Sequence, residues 1–500
     1  MMDTISTLWE LDTLERAKDY LAGNPDTPLR LQDFIDNQFA HSETEQGIES
    51  FNPSSGGVLV HVPRSTPPDV DRAVDAASRA FPSWSQTSRT ERSNILLQIA
   101  AILSENKELF AVWESIDQGK TLARARVEVD RAISNFRYFA TYILHDEGAV
   151  RFADGQGSST LTYEHRSAVG VFALISPWNM PLYLLTWKIA PCLAFGCTGV
   201  AKPSEVTSIT AFLLGEVFKR AGLPPGVMNI VFGDGPGAGS ALVKSPRVRG
   251  VSFTGSTSTG IRIRQDTASD IGKHLSLELG GKNPTLVFDD VALAQAVPLA
   301  ARAAFENSGQ ICLCGSRIYV HQAIYAQFLA AFVEYVRTHY VCGETVGPVV
   351  SLQHYAKVRS YLLQAQEEKA TFHIGEVPTD HPQHGFWITP TVLSGVGVDS
   401  RIMREEIFGP VVTVAPFETE EEAIALANDN PSGLASVLLT NDLSRMRRVG
   451  ERIDAGLVWV NCWLVRELGT AFGGMKASGV GREGGVHSRD VFTNVRTIHI

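Results

Sequence analysis

The sequence contains few cysteines and no run of closely spaced basic residues, and both features restrict the class of protein. Only 6 of its 500 residues are cysteine: Cys192, Cys197, Cys312, Cys314, Cys342 and Cys462. Such scattered cysteines in a large chain are typical of reduced thiols, which predicts a cytoplasmic protein without a disulfide framework. The close pair Cys312 and Cys314 has no second pair or histidine cluster to complete a zinc site, so we predict no metal.

Partner classes are restricted in the same way. The net charge is −10 at pH 7, so we expect neither nucleic acid nor an anionic membrane as a partner. The first 20 residues include Asp3 and Glu10 and no long apolar run, which argues against a secretory signal. No charged residue lies between Arg166 and Lys188, but Pro177 and Pro181 interrupt this stretch. We therefore interpret it as a buried strand and turn rather than a membrane span.

Five hundred residues are too many for one core, so two or three domains are expected. Residues 1–28 form an extension with helical character that ends near the turn-rich residues 23–26. Helical patterns then cover 70–81, 90–109 and 111–145. Short apolar runs follow at 169–175, 199–202, 228–233 and 250–255, separated by helical patterns at 181–195, 207–222 and 237–244. This alternation predicts a doubly wound parallel sheet.

A second series of apolar runs begins near residue 285 and predicts another α/β domain. Its runs lie at 285–288, 318–320, 388–393 and 411–417, with helical patterns at 324–338 and 419–428. The segment introduced by residues 155–159, and the last residues VRTIHI, could each be a lone strand that reaches outside its own domain.

Cys312 is the first candidate for chemistry, in the segment NSGQICLCGSR. A thiolate is a strong nucleophile, but a free cysteine has a pKa of about 8.5 and needs a helpful environment. Gly309 and Gly315 allow close backbone approach on either side. A cysteine taken alone is more often a small buried hydrophobe, and Cys314 competes for the role.

Two further candidates end apolar strands. Glu278, in LSLELGGKNP, is either a desolvated general base with a raised pKa or a paired structural acid. Asn179, in SPWNMP, can donate to a developing oxyanion, although an asparagine before a helix is usually a cap.

A cofactor site is indicated by two segments. Lys202 and Glu205, in AKPSE, follow a strand at the edge where parallel sheets bind ligands, although a surface ion pair fits equally well. The segment FTGSTSTG (253–260) combines a strand, a turn and a helix start, which suits phosphate but is not GxGxxG.

Together these segments resemble the aldehyde dehydrogenase family. SPWNMP, AKPSE, FTGSTSTG, LELGGKNP, the Gly-Gln-x-Cys segment, EEIFGPV (405–411) and FGGMKASGVGRE (472–483) occur in the family's order. The resemblance covers about residues 30–500. It implies a doubly wound parallel-sheet cofactor domain, an α/β catalytic domain and a small β oligomerisation arm, assembled as a homodimer or homotetramer.

The implied domain bounds are an extension at 1–28, an NAD-binding domain at 29–145 and 169–278, an arm at 146–168 and 489–500, and a catalytic domain at 279–488. The resemblance makes Cys312 the nucleophile of a thioester mechanism, Glu278 the base for water, and Asn179 the oxyanion donor beside the Cys312 N–H. Cys314 falls where the family has a small residue. A water base fits hydrolysis better than transfer to coenzyme A.

The resemblance also implies NAD and its contacts. Lys202 and Glu205 match the adenosine ribose, Gly255 and Ser256 the pyrophosphate, and Glu406 and Phe408 the nicotinamide ribose. Ser176, Trp178 and Ser204 complete the expected contacts. The charge of Glu205 disfavours a 2′-phosphate, so NAD is preferred over NADP.

Within the family, the sequence most resembles the branch that acts on 2-aminomuconic and 2-hydroxymuconic semialdehydes. GKTLARAR (119–126), NSGQICLCGSRIYV (307–320), NCWLVREL (461–468) and GREGGVHS (481–488) carry this likeness. The resemblance implies that the two substrate-binding arginines of this branch match Arg126 and Arg466. The planar fork of an arginine side chain suits binding of a carboxylate. The chain is one residue shorter just after Arg126, which leaves the register of that helix open.

Several alternatives stay open. Arg126 could lie on a solvated helix face near Arg124 and Arg131, and Arg466 could form a structural ion pair. The substrate could be another pathway-specific aldehyde, secondary-metabolic or aromatic. A catalytically inactive structural or binding member of the family is the remote alternative.

Overall fold

The computed structural model describes residues 4–24, 27–42, 44, 47–155 and 158–500. Pro25 and Asp26 of the predicted turn, and Gln156 and Gly157 of the predicted lead-in, lie outside these ranges. No helix within them is long and apolar enough to cross a membrane. The uncharged stretch 167–187 folds instead into a buried strand, a turn and part of a 14-residue helix.

The helices are α1 (Thr4–Glu10), α2 (Leu14–Gly23), α3 (Pro67–Trp84), α4 (Arg89–Glu105), α5 (Lys107–Gln118), α6 (Leu122–Tyr142), α7 (Pro181–Ala194), α8 (Ile209–Arg220), α9 (Ser240–Lys244), α10 (Thr257–Thr267), α11 (Leu293–Phe305), α12 (Tyr325–His339), α13 (Leu352–Glu367), α14 (Arg401–Arg404), α15 (Glu420–Asn428), α16 (Leu443–Gly450) and α17 (Gly485–Phe492). A π-helical turn spans Gly235–Gly239, and a 3₁₀ turn spans Glu306–Gly309.

The strands are β1 (Leu29–Arg30), β2 (Asp33–Ile35), β3 (Gln38–Ala40), β4 (Gly47–Phe51), β5 (Val58–Pro63), β6 (Val150–Gly155), β7 (Ser158–Ala168), β8 (Val171–Ile175), β9 (Thr198–Lys202), β10 (Met228–Ile230), β11 (Val248–Thr254), β12 (His274–Glu278), β13 (Pro284–Val287), β14 (Arg317–His321), β15 (Thr371–Ile374), β16 (Thr391–Ser394), β17 (Val411–Phe417), β18 (Ser432–Gly433), β19 (Ala435–Leu439), β20 (Leu457–Val460), β21 (Met475–Lys476), β22 (Gly479–Val480) and β23 (Thr493–His499).

The first large sheet has the strand order β22-β12-β11-β8-β9-β10-β2-β3. Strands β8 to β12 are parallel, and antiparallel strands flank them at both ends. From β8 the chain adds β9 and β10 on one side, then crosses to add β11 and β12 on the other. A crevice therefore opens between the carboxyl ends of β8 and β11, which is where doubly wound sheets bind ligands.

The second large sheet has the order β15-β16-β17-β14-β13-β19-β20, with only β15 antiparallel. Apolar side chains of the helices on both of its faces form two buried clusters. The segment 309–315 enters this sheet at the amino end of β14, and residues 280–283 enter it at the amino end of β13. Strands β19 and β20 were not among the predicted runs.

A separate three-stranded sheet joins the two lone strands predicted from the sequence. β7 pairs with β6 on one side and with the last strand β23 on the other, in register from Thr493 opposite Ala168 to His499 opposite Thr162. Phe152 on β6 is 76% exposed. The strand β22 belongs to the first sheet although it lies within the range 279–488 predicted as catalytic domain.

The extension docks on the first domain through α1 and α2. Leu8 and Ala17 are fully buried, and the indole of Trp113 on α5 donates to the Leu8 backbone oxygen at 3.2 Å. The prediction of helical character is confirmed for these residues.

The helix predicted for 111–145 is wrong as one element. α5 ends at Gln118 and α6 begins at Leu122. Gly119 adopts a left-handed φ of 88°, and the Thr121 hydroxyl caps α6 by accepting from the Arg124 N–H at 3.3 Å. A left-handed glycine followed by a hydroxyl cap ends one helix and starts another.

Candidate active site

Cys312 and Glu278 line one cavity between the two large sheets. Glu278 ends β12 at the carboxyl edge of the first sheet, and Cys312 precedes β14 at the amino edge of the second. The other lining residues are Arg131, Met180, Tyr183, Leu184, Trp187, Thr254, Leu279, Leu313, Trp459, Leu464, Arg466, Phe472 and Glu483. The structure therefore brings together a thiol and a carboxylate that lie 34 residues apart in sequence.

The turn before Cys312 has an unusual backbone. Asn307 and Ser308 adopt left-handed φ values of 53° and 57°, and Gly309 follows at 70°. A Cβ on Gly309 would lie 2.1 Å from the Gly409 carbonyl oxygen. Left-handed conformations in non-glycine residues cost of order 1–3 kcal/mol each and cluster at functional sites. Cys312 follows this turn and lines the cavity.

The two neighbouring cysteines have different surroundings. Cys312 is partly accessible, whereas Cys314 is buried and its thiol lies 3.9 Å from the Glu306 backbone oxygen. Burial raises the pKa of both thiols, that of Cys314 to about 12, and Glu406 and Glu278 raise the pKa of Cys312 further. Arg466 is the group that opposes this for Cys312. A buried thiol needs such a cation to form the thiolate.

Glu278 is a buried carboxylate that forms no ion pair with a described residue. Neither of its oxygens accepts a hydrogen bond from any residue that the structure describes. Burial raises its pKa well above the ordinary value, the charge of Glu483 raises it further, and Lys188 and Arg466 oppose the shift. The alternative of a paired structural acid is not supported among the described residues, and a desolvated carboxylate with a raised pKa suits the role of a general base.

Glu483 is a residue that the sequence analysis missed. Its carboxylate accepts from the Trp187 indole at 2.5 Å, the Ser276 hydroxyl at 3.0 Å and the Ser252 hydroxyl at 3.1 Å, and Lys188 lies 3.5 Å away. It lies in GREGGVHS, far in sequence from Glu278, and no spacing rule connects the two. The negative charge of Glu483 makes the ionised form of Glu278 less favourable, and it thereby raises the pKa of Glu278.

Asn179 follows β8 and its side chain reaches the turn of the second domain. The amide donates to the Gln310 carbonyl at 2.9 Å, two residues before Cys312. Its own backbone oxygen accepts from Asn307 at 3.1 Å. These bonds make Asn179 part of the same turn, which is more than the cap that an isolated asparagine would provide.

The cofactor candidates gather at the switch point of the first sheet. Ser176 follows β8, and its buried hydroxyl finds no partner in the described part of the chain. Gly255 follows β11, and the Ser256 hydroxyl caps α10 by accepting from the Thr259 N–H at 3.2 Å. Backbone N–H groups at the start of an 11-residue helix suit a phosphate group. The residues therefore fit a dinucleotide at this edge.

Lys202, Ser204 and Glu205 lie at and beyond the end of the neighbouring strand β9. The Lys202 ammonium is buried, donates to the Pro203 carbonyl at 2.9 Å and lies 3.6 Å from the Glu205 carboxylate. Burial lowers the pKa of Lys202, and Glu205 opposes this. An ion pair is present, but it is not the surface pair of the alternative interpretation because Lys202 is buried, and both groups lie at the ligand-binding edge of the sheet.

Trp178 contacts Phe408, and Glu406 lies two residues before Phe408. The Glu406 carboxylate accepts from the Gly281 N–H at 2.9 Å. Phe408 has a left-handed φ of 62°, and its carbonyl oxygen lies 2.6 Å from Nε2 of His354. The Trp178 ring packs 4.9 Å from His354 and 5.2 Å from Phe408, measured between ring centroids. His354 is a second residue that sequence reasoning missed.

Arg126 is not part of the site. It is 46% exposed and pairs with Glu108 at 2.6 Å on the solvent face of α6. The residue of α6 that lines the cavity is Arg131, five positions later. Five residues rotate a helix by about 140° from the starting face, so the two arginines cannot both face inward. The prediction for Arg126 is therefore wrong, and the solvated face was the correct alternative.

Arg466 does lie in the cavity. Its guanidinium stacks between the rings of Trp187 and Phe472, at 4.0 Å from each centroid, and donates to the Tyr183 hydroxyl at 2.5 Å. Its buried Nη2 finds no partner among the described residues. The structure shows no ion pair between Arg466 and a carboxylate among the described residues, so the structural ion pair considered for it is not supported.

The profile of the aldehyde dehydrogenase family matches residues 39–498. The chain belongs to this family. The predicted fold class and the predicted enzyme class are thereby confirmed, and the extension α1–α2 lies before the matched range.

Named relatives agree with this. The chain is 47% identical over 484 residues to 2-aminomuconic semialdehyde dehydrogenase of Homo sapiens, covering 94% of this chain and 98% of the relative. It is 40% identical over 481 residues to 2-hydroxymuconic semialdehyde dehydrogenase of Pseudomonas sp. (strain CF600), covering 94% and 99%.

A solved NAD+ complex of aldehyde dehydrogenase from Bacillus cereus has a TM-score of 0.91 at 34% identity, and the match covers 96% of this chain and 98% of that one.

Within the described ranges no cluster of three or more potential metal ligands occurs.

Proposed function

We propose that this aldehyde dehydrogenase uses NAD to oxidise a carboxylate-bearing semialdehyde of the muconic type to the acid, without coenzyme A. The observation that carries the substrate class is a pair of arginines, Arg131 and Arg466, in the cavity with Cys312. Neither has a carboxylate partner among the described residues. Two cations held in one small cavity carry a desolvation cost that an anionic ligand offsets.

Arg131 replaces Arg126 as the second substrate ligand. Its Nη2 donates to the Leu464 carbonyl at 3.3 Å, and burial lowers its pKa. Its guanidinium lies 5.5 Å from the centroid of the Tyr183 ring, and that of Arg466 lies 5.9 Å from the same ring. Both guanidinium groups therefore lie near the same phenol ring, and together they suit one carboxylate with its neighbouring oxygen.

The Cys312 thiol first loses its proton to solvent, which the positive charge of Arg466 favours. The thiolate attacks the aldehyde carbon, and the developing oxyanion is held by the Asn179 amide and the Cys312 N–H. NAD, when bound at the switch point, supplies the acceptor for the hydride that leaves that carbon. A thioester on Cys312 remains. Glu278 then takes a proton from water, the hydroxide attacks the thioester carbonyl, and the thiolate leaves as the carboxylic acid is released.

The cofactor contacts are proposed at the residues that fit them. Ser176, Gly255 and Ser256 suit the pyrophosphate, Lys202, Ser204 and Glu205 the adenosine ribose, and Trp178, Glu406 and Phe408 the nicotinamide ribose. Glu205 repels a 2′-phosphate, which favours NAD over NADP.

The test compares Arg131→Met and Arg466→Met with Arg126→Met. Loss of a charge-assisted bond should lower kcat/KM for an acidic semialdehyde by roughly ten- to a hundredfold. A neutral aldehyde of similar size should lose far less. Arg126→Met, on the same helix but facing solvent, should match the wild type on both substrates. Equal losses on acidic and neutral aldehydes would overturn the substrate class and leave the dehydrogenase chemistry intact.

A neutral aromatic aldehyde is the second candidate. Tyr183, Trp187, Trp459 and Phe472 line the same cavity and can pack against a ring. The same substrate panel decides between the two, because an aromatic substrate should turn over in the arginine variants almost as well as in the wild type.

The arm of β6, β7 and β23 supports assembly as a homodimer or homotetramer, because it presents an exposed Phe152 and a long sheet outside both domains. The domain bounds given above and a cytoplasmic location complete the proposal. Six unpaired cysteines suit a reducing compartment.

A further inference from the structure

A buried ion network lies beside the active site, and the chemistry described above does not use it. The Lys120 ammonium contacts the carboxylates of Glu128 and of Glu114, the latter at 3.4 Å. The side chain of Lys120 is 1% exposed, and those of Glu114 and Glu128 are fully buried. Lys120 lies in the connection between α5 and α6, and Glu128 is a buried residue of α6.

Arg124 extends this network to the second domain. Its Nε donates to Glu128 at 3.0 Å, and its Nη1 donates to Glu306 at 3.0 Å. Glu306 is 24% exposed and is the first residue of the strained turn before Cys312. The ion network therefore runs from Glu114 through Lys120, Glu128 and Arg124 to Glu306, and we call it the α6 network.

Two members of the α6 network, Lys120 and Glu306, lie next to the reacting groups. Lys120 donates to the Asn179 carbonyl at 3.1 Å. The same carbonyl accepts from Asn307 at 3.1 Å, next to Glu306, and the Asn179 side chain donates to the Gln310 carbonyl at 2.9 Å. The oxyanion donor and the nucleophile turn are thus bonded to each other and held from behind by one chain of ion pairs.

Stability alone is a weak reason for this arrangement. Buried ion pairs often contribute no more than well-packed apolar side chains of the same size, because desolvation offsets their attraction. What such a network supplies is a fixed geometry. The left-handed Asn307 and Ser308 persist only if their surroundings hold them, and the Arg124–Glu306 pair anchors the residue directly before them.

We propose that Arg124, through the α6 network, is a positioning residue that fixes the distance between the Cys312 thiol and the oxyanion donors around Asn179. It touches neither substrate nor cofactor and acts through Glu306. The inference rests on the proposed role of Cys312. It concerns only how the nucleophile turn is held, so it can fail while that role stands.

The first experiment compares Arg124→Met, Arg124→Lys and the matched control Arg126→Met. The rate of the single-turnover NADH burst should fall roughly 10- to 100-fold in Arg124→Met, because a displacement of about 1 Å at a reacting group can cost a hundredfold. Alkylation of Cys312 by iodoacetamide should change in rate as well. The KM for NAD should stay within about twofold. Arg124→Lys should recover part of the burst rate, and Arg126→Met should match the wild type.

A double-mutant cycle with Glu306→Gln isolates the contact. Gln keeps the shape of a side chain that is partly exposed, so this variant should fold. If Arg124 acts through Glu306, the double variant should be no slower than Arg124→Met. Independent multiplication of the two losses would overturn the proposal, as would a lower thermal midpoint with an unchanged burst and an unchanged alkylation rate.

Cys312→Ala separates this failure from failure of the proposed function. An active Cys312→Ala variant would remove the nucleophile assignment itself. An inactive Cys312→Ala together with an Arg124→Met that behaves like Arg126→Met would overturn only the positioning role.

Discussion

The thiol of Cys314 lies 3.9 Å from the backbone oxygen of Glu306 and packs in the core of the second domain, whereas Cys312 lines the cavity beside Glu278. Two cysteines separated by one residue are thus directed to different environments. The left-handed turn at 307–309 decides this, because it sets the direction in which the chain enters β14.

Replacing the two cysteines should therefore have unequal effects. Cys312→Ala removes the proposed nucleophile, and we expect aldehyde-dependent NADH formation to fall on the order of 10³-fold or more. Cys314→Ala leaves a small gap in the core and should keep at least about half of the activity. Activity is followed at 340 nm with equal amounts of folded protein. Comparable losses in both variants would contradict the assignment.

Glu278→Gln should separate hydride transfer from hydrolysis. The variant keeps the shape of the carboxylate but cannot take a proton, so a burst of one NADH per active site should be followed by a steady state roughly 10²- to 10⁴-fold slower. The wild-type hydrolysis step should speed up as pH rises, because burial and Glu483 raise the pKa of Glu278 and only its ionised form is a base. The Gln variant should lack this rise in hydrolysis. A burst that is lost along with the steady state would place Glu278 before the thioester.

Gly280→Ala should weaken the binding of NAD. A Cβ at Gly280 would lie 2.2 Å from a carboxylate oxygen of Glu406 and must displace it. Loss of a hydrogen bond to a charged group should raise the KM for NAD roughly ten- to a hundredfold, with a much smaller change in the KM for aldehyde. Gly397→Ala is the control, because a Cβ there meets no atom within 4 Å. An unchanged KM for NAD would exclude Glu406 from the cofactor site.

His354 should make the enzyme less stable in acid. Burial lowers the pKa of His354 from 6.5 to about 4, so the folded protein keeps it neutral where the unfolded chain is protonated. This pKa difference leaves the free energy of unfolding unchanged above pH 6.5 and lowers it progressively as pH falls towards 4. At pH 5 the loss is about 2 kcal/mol. His354→Gln retains a donor to the Phe408 carbonyl without titrating. Its thermal midpoint should drop less than that of the wild type between pH 7 and pH 5; an equal drop would contradict this origin.

The fold and the reacting groups could be predicted from local sequence. Strands β8, β9 and β11 are short apolar runs that end in polar turns, and β-strands of a parallel sheet place such turns on one edge. The order of SPWNMP, AKPSE, FTGSTSTG and LELGGKNP indicated the family, and with it Cys312 and Glu278. Each of these signals is contained within about ten residues of chain.

The sequence by itself predicted Cys312 as the nucleophile, Glu278 as the base and the cofactor edge, because the motifs that carry the family resemblance are short and their turn and strand chemistry is local. Only the tertiary structure decided that Arg131 rather than Arg126 faces the cavity. Each residue of a helix is rotated by about 100° from the one before it. The interruption between the two helices at Gly119 and the start of α6 at Leu122 therefore set which side chains of α6 face inward. Tertiary packing also brings Glu483 to Lys188 and the cavity, although the two residues lie 295 positions apart, and no local sequence pattern indicates this contact.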